Sequence, residues 1–322
     1  MTEVPRILLH NDETDLLHQR LHDAFPDADI RTCNSYAAVA ETLSAFHPDI
    51  VYSVRFDGSR QYPREAMFGS NGPRWIANGG VGTDHFGQWD SSKTTVTNAA
   101  GVAADVMAEY VLGGFLHFTL GIPTFQADKA QRAWKPRTVR PMKGKTLLIV
   151  GLGSTGRAIA KRAKAFGLEV IGTRAWPQPM EHVDEVFSAT DLPELLPRAD
   201  FIAVATPLTP QTRGLIGTAE IQRMKKGTIL ADVSRGHVIH QTALLGALQT
   251  GVIEAAILDV FEVEPLPDNS ALWQLDNVIL SPHCSSVYQG WELASFDLFL
   301  GNLRRWIDGD PLLNVVDPVR GY

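Results

Sequence analysis

The chain has 322 residues, 44 % of them hydrophobic and 20 % charged, with a net charge of −7. That length allows two domains with full cores, and the negative balance without a long basic cluster argues against nucleic-acid binding. Its two cysteines, Cys33 and Cys284, lie far apart and outside any metal-ligand spacing, so neither a disulfide framework nor a metal site is expected, and a reducing cytoplasm fits.

In chain order, Arg6 to His10 reads as a strand, Asp12 to Phe25 as an amphipathic helix, and Asp49 to Val54 and Arg74 to Asn78 as further strands. These form a first α/β unit. The N-terminus has no cationic flank leading into an apolar signal core. The most apolar long stretch, Val102 to Ile122, carries Asp105, Glu109 and His117, which suits a buried interdomain helix better than a membrane span. No membrane role is expected.

Next comes Thr146-Leu-Leu-Ile-Val-Gly151-Leu-Gly153-Ser154-Thr155-Gly156, an apolar run that meets a G-x-G-x-x-G turn and opens into the helix-compatible Arg157 to Phe166. In that context the glycines read as a dinucleotide fingerprint. Gly151 permits the tight turn, Gly153 lets backbone approach a pyrophosphate, and Gly156 lets helix pack close to strand. Unpaired N–H groups at the helix start face the anion. The next strand, Leu168 to Thr173, ends at Arg174, where a free ribose 2′-hydroxyl usually meets a carboxylate. An arginine there suits a 2′-phosphate, so NADP(H) is preferred, with NAD(H) possible. Glu169 is too early in the strand and Glu181 too late to supply the missing carboxylate.

Four more strands are expected at Phe201 to Ala205, Thr228 to Val233, Ala255 to Val260 and Val278 to Ser281, and a final helix at Glu292 to Asp308. The fold class is α/β with two doubly wound parallel sheets. A Rossmann cofactor domain (residues 100–287) is inserted in a flavodoxin-like substrate domain (residues 1–99 and 288–322). Three polar residues stand just beyond strands of the second sheet: Arg235 in Ser234-Arg-Gly236, Glu264 at the end of Asp259-Val-Phe-Glu-Val-Glu264-Pro, and His283 after Leu280-Ser-Pro282. Each alone could be structural. Together they form a set suited to reducing a 2-oxo acid.

Taken with Gly80-Val81-Gly82-Thr-Asp84, Asn98-Ala-Ala-Gly101 leading to Met107-Ala-Glu109, Lys143-Gly-Lys145, Thr206-Pro207-Leu-Thr-Pro-Gln-Thr212 and Leu313-Asn-Val-Val, the chain resembles the D-isomer-specific 2-hydroxyacid dehydrogenases. The resemblance covers nearly the whole chain and is strongest toward glyoxylate/hydroxypyruvate reductases. It implies that Arg235 binds and polarises the substrate, that His283 is the acid/base and that Glu264 orients it. The amides around Val81 and Gly82 would receive the substrate carboxylate. Met107, Thr206, Pro207, Thr212, Val233, Ser234, Asp259 and His283 would help the fingerprint residues and Arg174 to hold the cofactor.

The resemblance further implies a cytoplasmic homodimer reducing a short 2-oxo acid to the D-2-hydroxy acid with NADPH. The alternatives are an NAD(H)-dependent dehydrogenase of a larger substrate, or a non-catalytic nucleotide-sensing partner protein. The sequence departs from the family's usual residues at Asp232, often Asn, at Met107, often Val, and at Cys284-Ser285-Ser286 after the histidine. Glutamate rather than glutamine at 264 sets it apart from formate dehydrogenases. Cys284 reads as a small buried filler. Arg55, Trp75, Trp134 and Tyr288 are candidates to shape the pocket, with packing the favoured role for each, and Trp134 resembles a residue that relatives supply from the partner subunit.

Overall fold

In this computed structural model residues 5–54 and 62–321 are described, so Arg55 lies outside the described residues. The first parallel sheet contains β1 (Arg6–His10), β2 (Asp29–Cys33), β3 (Ile50–Ser53), β4 (Trp75–Asn78) and β5 (Thr95–Thr97) in the order β2-β1-β3-β4-β5. The second contains β6 (Thr146–Val150), β7 (Glu169–Arg174), β8 (Glu185–Ser188), β9 (Phe201–Val204), β10 (Thr228–Asp232), β11 (Ile253–Leu258) and β12 (Val278–Leu280), in the order β12-β11-β10-β9-β6-β7-β8. Both are doubly wound: the first has the flavodoxin-like order, and the second the Rossmann order with its switch point between β6 and β9. The chain divides into two compact units, Met1–Val102 with Gln289–Tyr322, and Ala103–Tyr288.

Helices cover parallel sheets on both faces, so their central strands become continuous apolar runs. β3, β4, β9 and β10 are buried along their whole length. Three strands that the sequence reading did not name, β2, β5 and β8, all lie at sheet edges. Edge strands are short and half solvated, and Asp29-Ile-Arg-Thr-Cys33 and Glu185-Val-Phe-Ser188 carry too little apolar pattern to be distinguished from loop. The final helix, Trp291–Asp308, and the first, Asp15–Ala24, belong to the first unit. Trp75 is fully buried there, donates its indole N–H to Thr97 Oγ1 at 3.0 Å and stacks on Trp306, so it is a core residue.

In the second unit the helix Ala104–Thr119 lies close over β11. A Cβ built on Gly114 would stand 2.4 Å from Ile257 Cγ1, so glycine is what permits the contact. The helix buries Ala108, Val111, Leu112 and Phe115, and its neighbours in that core are Ile149, Ile159, Ala160 and Ile257. Among the described residues no single helix is long and apolar enough to cross a membrane.

Because Ile257 is fully buried between sheet and helix, Ile257→Ala should destabilise the second unit by about 2–4 kcal/mol through lost burial and a residual cavity. Denaturant unfolding followed by circular dichroism reads this directly, and a loss below about 1 kcal/mol would contradict the packing.

Candidate active site

The fingerprint turn joins β6 to the helix Ser154–Ala165. Gly151 has φ +103°, and a Cβ there would meet Ala205 O at 2.8 Å. On Gly156 a Cβ would lie 2.1 Å from Gly151 O, so the first helical turn rests on the loop itself. Nothing lies within 4 Å of a Cβ on Gly153, which caps the helix on an open side. A tight turn, a close approach and an open backbone face at the start of a twelve-residue helix fit the pyrophosphate of a dinucleotide. Ser154 and Thr155 form the first turn, and Thr155 Oγ1 contacts Met107 Sδ at 3.7 Å. Thr206 and Pro207 lie one residue beyond β9; Thr212 turns back to donate to Pro207 O at 2.6 Å and to accept from Thr209 N at 2.7 Å.

Arg174 is half-buried at the tip of β7, with Nη1 3.4 Å from Met180 Sδ, and no described carboxylate pairs with it. Glu169 sits at the opposite end of the same strand, beside Thr146 and Arg198, and the exposed Glu181 pairs with His182. Neither glutamate replaces a carboxylate at the strand tip.

The three polar candidates stand on adjacent loops. Arg235 follows β10, and its Nη1 donates to Ser234 O at 2.8 Å. A Cβ on Gly236 would fall 1.9 Å from Phe261 backbone atoms, so the arginine loop runs directly against the loop that carries Glu264. Glu264 Oε1 accepts from Phe261 N at 2.9 Å, and Oε2 lies 2.8 Å from His283 Nδ1. Burial opposes the charge on Glu264, but the hydrogen bonds from His283 and from Phe261 N–H and the cationic charge of His283 and Arg235 outweigh it, holding the carboxyl below its usual range. His283 and Glu264 side chains are 38 % and 36 % exposed, so the pair is open to a ligand.

His283 has φ +52°, a left-handed backbone unusual for a residue with a side chain. Its N–H donates to Asp259 O at 2.9 Å and to Ser281 O at 3.0 Å. The Asp259 carboxylate accepts from Ser281 Oγ at 2.6 Å, Cys284 N at 2.8 Å, Ser285 N at 3.1 Å and Ser285 Oγ at 2.5 Å. The strain at His283 is therefore held by bonds on both sides of it. Tyr110, which the sequence reading did not single out, reaches this group from the helix Ala104–Thr119, with its hydroxyl 2.6 Å from Ser281 Oγ.

Residues 112–285 match the family described as D-isomer specific 2-hydroxyacid dehydrogenase, NAD binding domain. The chain belongs to the D-isomer specific 2-hydroxyacid dehydrogenases. A D-3-phosphoglycerate dehydrogenase of Methanocaldococcus jannaschii is 36 % identical over 247 residues, which are 75 % of this chain and 47 % of that one, so the match spans about half of that relative. A glyoxylate reductase of Thermofilum pendens is 37 % identical over 235 residues, 69 % of this chain and 68 % of that one. Among solved structures, a D-isomer specific 2-hydroxyacid dehydrogenase of Xanthobacter autotrophicus Py2 in complex with NADPH and MES superposes with a TM-score of 0.84 and 29 % identity, covering 99 % of this chain and 100 % of that one.

As a family member the chain is a nicotinamide-dependent dehydrogenase, and its own departures can be placed. Asp232 ends β10, and its Oδ1 accepts from Ser234 N at 3.0 Å and Ser234 Oγ at 2.5 Å. Val233 and Ser234 are buried beside it. Burial pushes the Asp232 carboxyl up to about 7, against the Ser234 hydrogen bonds and with the Asp259 charge adding to the rise. Cys284 corrects the sequence reading: it is exposed, on a turn whose backbone N–H donates to Asp259 Oδ1 at 2.8 Å. The partial desolvation that remains there and the Asp259 charge raise its thiol pKa. Tyr288 is half-buried, and Trp134 is 97 % exposed. In the first unit the Asn78 amide donates to Gly80 O and Gly82 O, and the Asn98 amide to Val81 O. These bonds fix the Gly80 to Gly82 carbonyls, while the Val81 and Gly82 N–H groups have no acceptor among the described residues.

The Asp232 environment predicts a pH dependence with a defined sign. The folded state binds a proton that the unfolded chain releases near pH 4, so the contribution of this group to stability is complete below pH 4 and is lost as pH rises to about 7. Relative to Asp232→Asn, which does not titrate, the unsubstituted protein should lose on the order of a few kcal/mol between about pH 4 and pH 7 and nothing further above pH 8. A stability difference that stays constant across that range in urea titrations would refute the raised carboxyl.

Proposed function

We propose that the chain reduces a short 2-oxo acid of glyoxylate or hydroxypyruvate size to the D-2-hydroxy acid, using NADPH. The observation that carries this reading is the His283–Glu264 pair, 2.8 Å apart and open to a ligand, with the Arg235 loop packed against it. The glyoxylate reductase of Thermofilum pendens supports the substrate class, and the Xanthobacter structure with NADPH supports the cofactor.

When bound, the reduced nicotinamide supplies a hydride to the keto carbon. Arg235 binds the substrate carboxylate and polarises the carbonyl, and in the first unit the Val81 and Gly82 amides are assigned to carboxylate binding. His283 Nε2 donates the proton that the developing alkoxide takes up. Glu264 accepts from Nδ1–H and stabilises the imidazolium that must be present in the reductive direction. The Gly151 to Gly156 turn, Ser154 and Thr155 bind the pyrophosphate through backbone and first-turn donors. Thr206, Pro207, Thr212, Val233, Ser234, Asp259 and Met107 would complete the cofactor site, and Arg174 would hold the 2′-phosphate. The homodimer is part of the proposal, with the exposed Trp134 as a subunit contact.

His283→Ala should lower kcat for reduction by about a hundred- to ten-thousand-fold with cofactor affinity little changed, whereas Arg235→Ala should also raise KM. Steady-state kinetics on the purified variants, with hydride transfer shown to limit the rate, test this. Retention of the full rate by His283→Ala would overturn the assignment.

A charge-assisted hydrogen bond from Arg174 predicts a preference for NADPH over NADH of about ten- to a hundredfold in kcat/KM. Arg174→Asp should erase or reverse it. Equal kcat/KM for the two cofactors in the unsubstituted protein would leave Arg174 as a surface residue.

A further inference from the structure

The group around His283 has a direction. A carboxylate can only accept, so the single proton of Ser281 Oγ goes to Asp259 Oδ1 at 2.6 Å. Ser281 Oγ must then accept from Tyr110, and the 2.6 Å contact is a Tyr110 O–H donating to Ser281. The chain of donors runs from Tyr110 through Ser281 and ends on Asp259, which also accepts from the Cys284 and Ser285 amides that follow His283. Asp259 Oδ1 and Oδ2 both hold Ser285 N, Oδ1 also holds Cys284 N, and the Asp259 carbonyl holds the His283 amide itself. Tyr110 and Ser281 come from parts of the chain 171 residues apart, one on a packed helix and the other at the end of β12.

Resting on the reading of His283 as the proton donor, we propose that Tyr110 and Ser281 are positioning residues that fix the His283 turn through the Asp259 carboxylate. Three features support this. His283 adopts a left-handed backbone that has to be held by its surroundings. Among the described residues the Asp259 side chain accepts its hydrogen bonds from Ser281, Cys284 and Ser285, which flank the histidine. Tyr110 is anchored on a helix whose inner face is core, so the tyrosine supplies a rigid point of reference. Burial raises the Tyr110 hydroxyl to about 12, with the Asp259 charge adding to the rise, and this keeps it in the donating form at working pH.

Neither residue touches the reacting atoms, so the effect should appear in kcat and in the mobility of the turn. Tyr110→Phe, which keeps the ring and its packing, and Ser281→Ala should each lower kcat about three- to tenfold with substrate KM within about twofold. Ser281→Thr, which keeps the hydroxyl, should restore it. The double variant should be no slower than the slower single one, because both changes break one chain of hydrogen bonds. In the protein without cofactor, amide exchange at Cys284 and Ser285 should accelerate about tenfold in both single variants.

Placing the same changes in a His283→Ala background separates the two claims. If His283 is the donor and the relay positions it, neither change lowers the residual rate further. If His283→Ala retains full activity, the proton-donor reading fails, while accelerated exchange at Cys284 and Ser285 would still report the relay. Unaltered kcat and unaltered exchange in Tyr110→Phe and Ser281→Ala overturn the proposal, as does an equal further loss of rate in the His283→Ala background.

Discussion

Parallel pairing is the constraint on which the rest of the second unit depends. Every strand from β6 to β12 points the same way, so every strand-to-helix loop at the carboxyl ends emerges along one sheet edge. Segments scattered from Gly151 to His283 are thereby brought to neighbouring loops: the glycine turn after β6, Thr206 and Pro207 after β9, Arg235 after β10, Glu264 after β11 and His283 after β12. The site needs no dedicated scaffold beyond the sheet. Close packing then sets the fine positions, as at Gly156 against Gly151 and at Gly236 against Phe261, where any side chain would push the loops apart.

Electrostatics divides the work among carboxyls along the β10 to β12 end of that edge. Glu264, half exposed, is held in its charged form by His283, the Phe261 amide and Arg235, which suits it to support an imidazolium. Asp259 is saturated by hydroxyl and amide donors around the histidine turn. Asp232, one strand further in, accepts among the described residues from Ser234 and is driven toward its neutral form by burial and by the Asp259 charge. Three acidic residues at the carboxyl ends of the neighbouring strands β10 and β11 thus differ in role through their surroundings.

What was legible in the sequence follows from how local each signal is. The Gly151 to Gly156 turn could be read because a tight turn, an open backbone and a close helix approach each need glycine within one short segment. Central strands could be read because burial on both faces forces continuous apolar runs, whereas β2, β5 and β8 lie at edges and lack that pattern. The Arg235, Glu264 and His283 set could be picked out because each follows a readable strand. Tyr110 could not, since a tyrosine on an apolar helix looks like packing until the fold brings its hydroxyl to Ser281. Cys284, exposed rather than buried, was misread for the same reason: the turn that carries it is tied to Asp259, 25 residues away.

The central claim is a proton and hydride delivered to a short 2-oxo acid with one stereochemical outcome. The most direct measurement is to supply the purified protein with NADPH and glyoxylate or hydroxypyruvate, follow the loss of reduced-nicotinamide absorbance, and determine the configuration of the product from hydroxypyruvate by chiral chromatography. The account predicts steady turnover and exclusively D-glycerate. No turnover with either acid, or an L or racemic product, would contradict it.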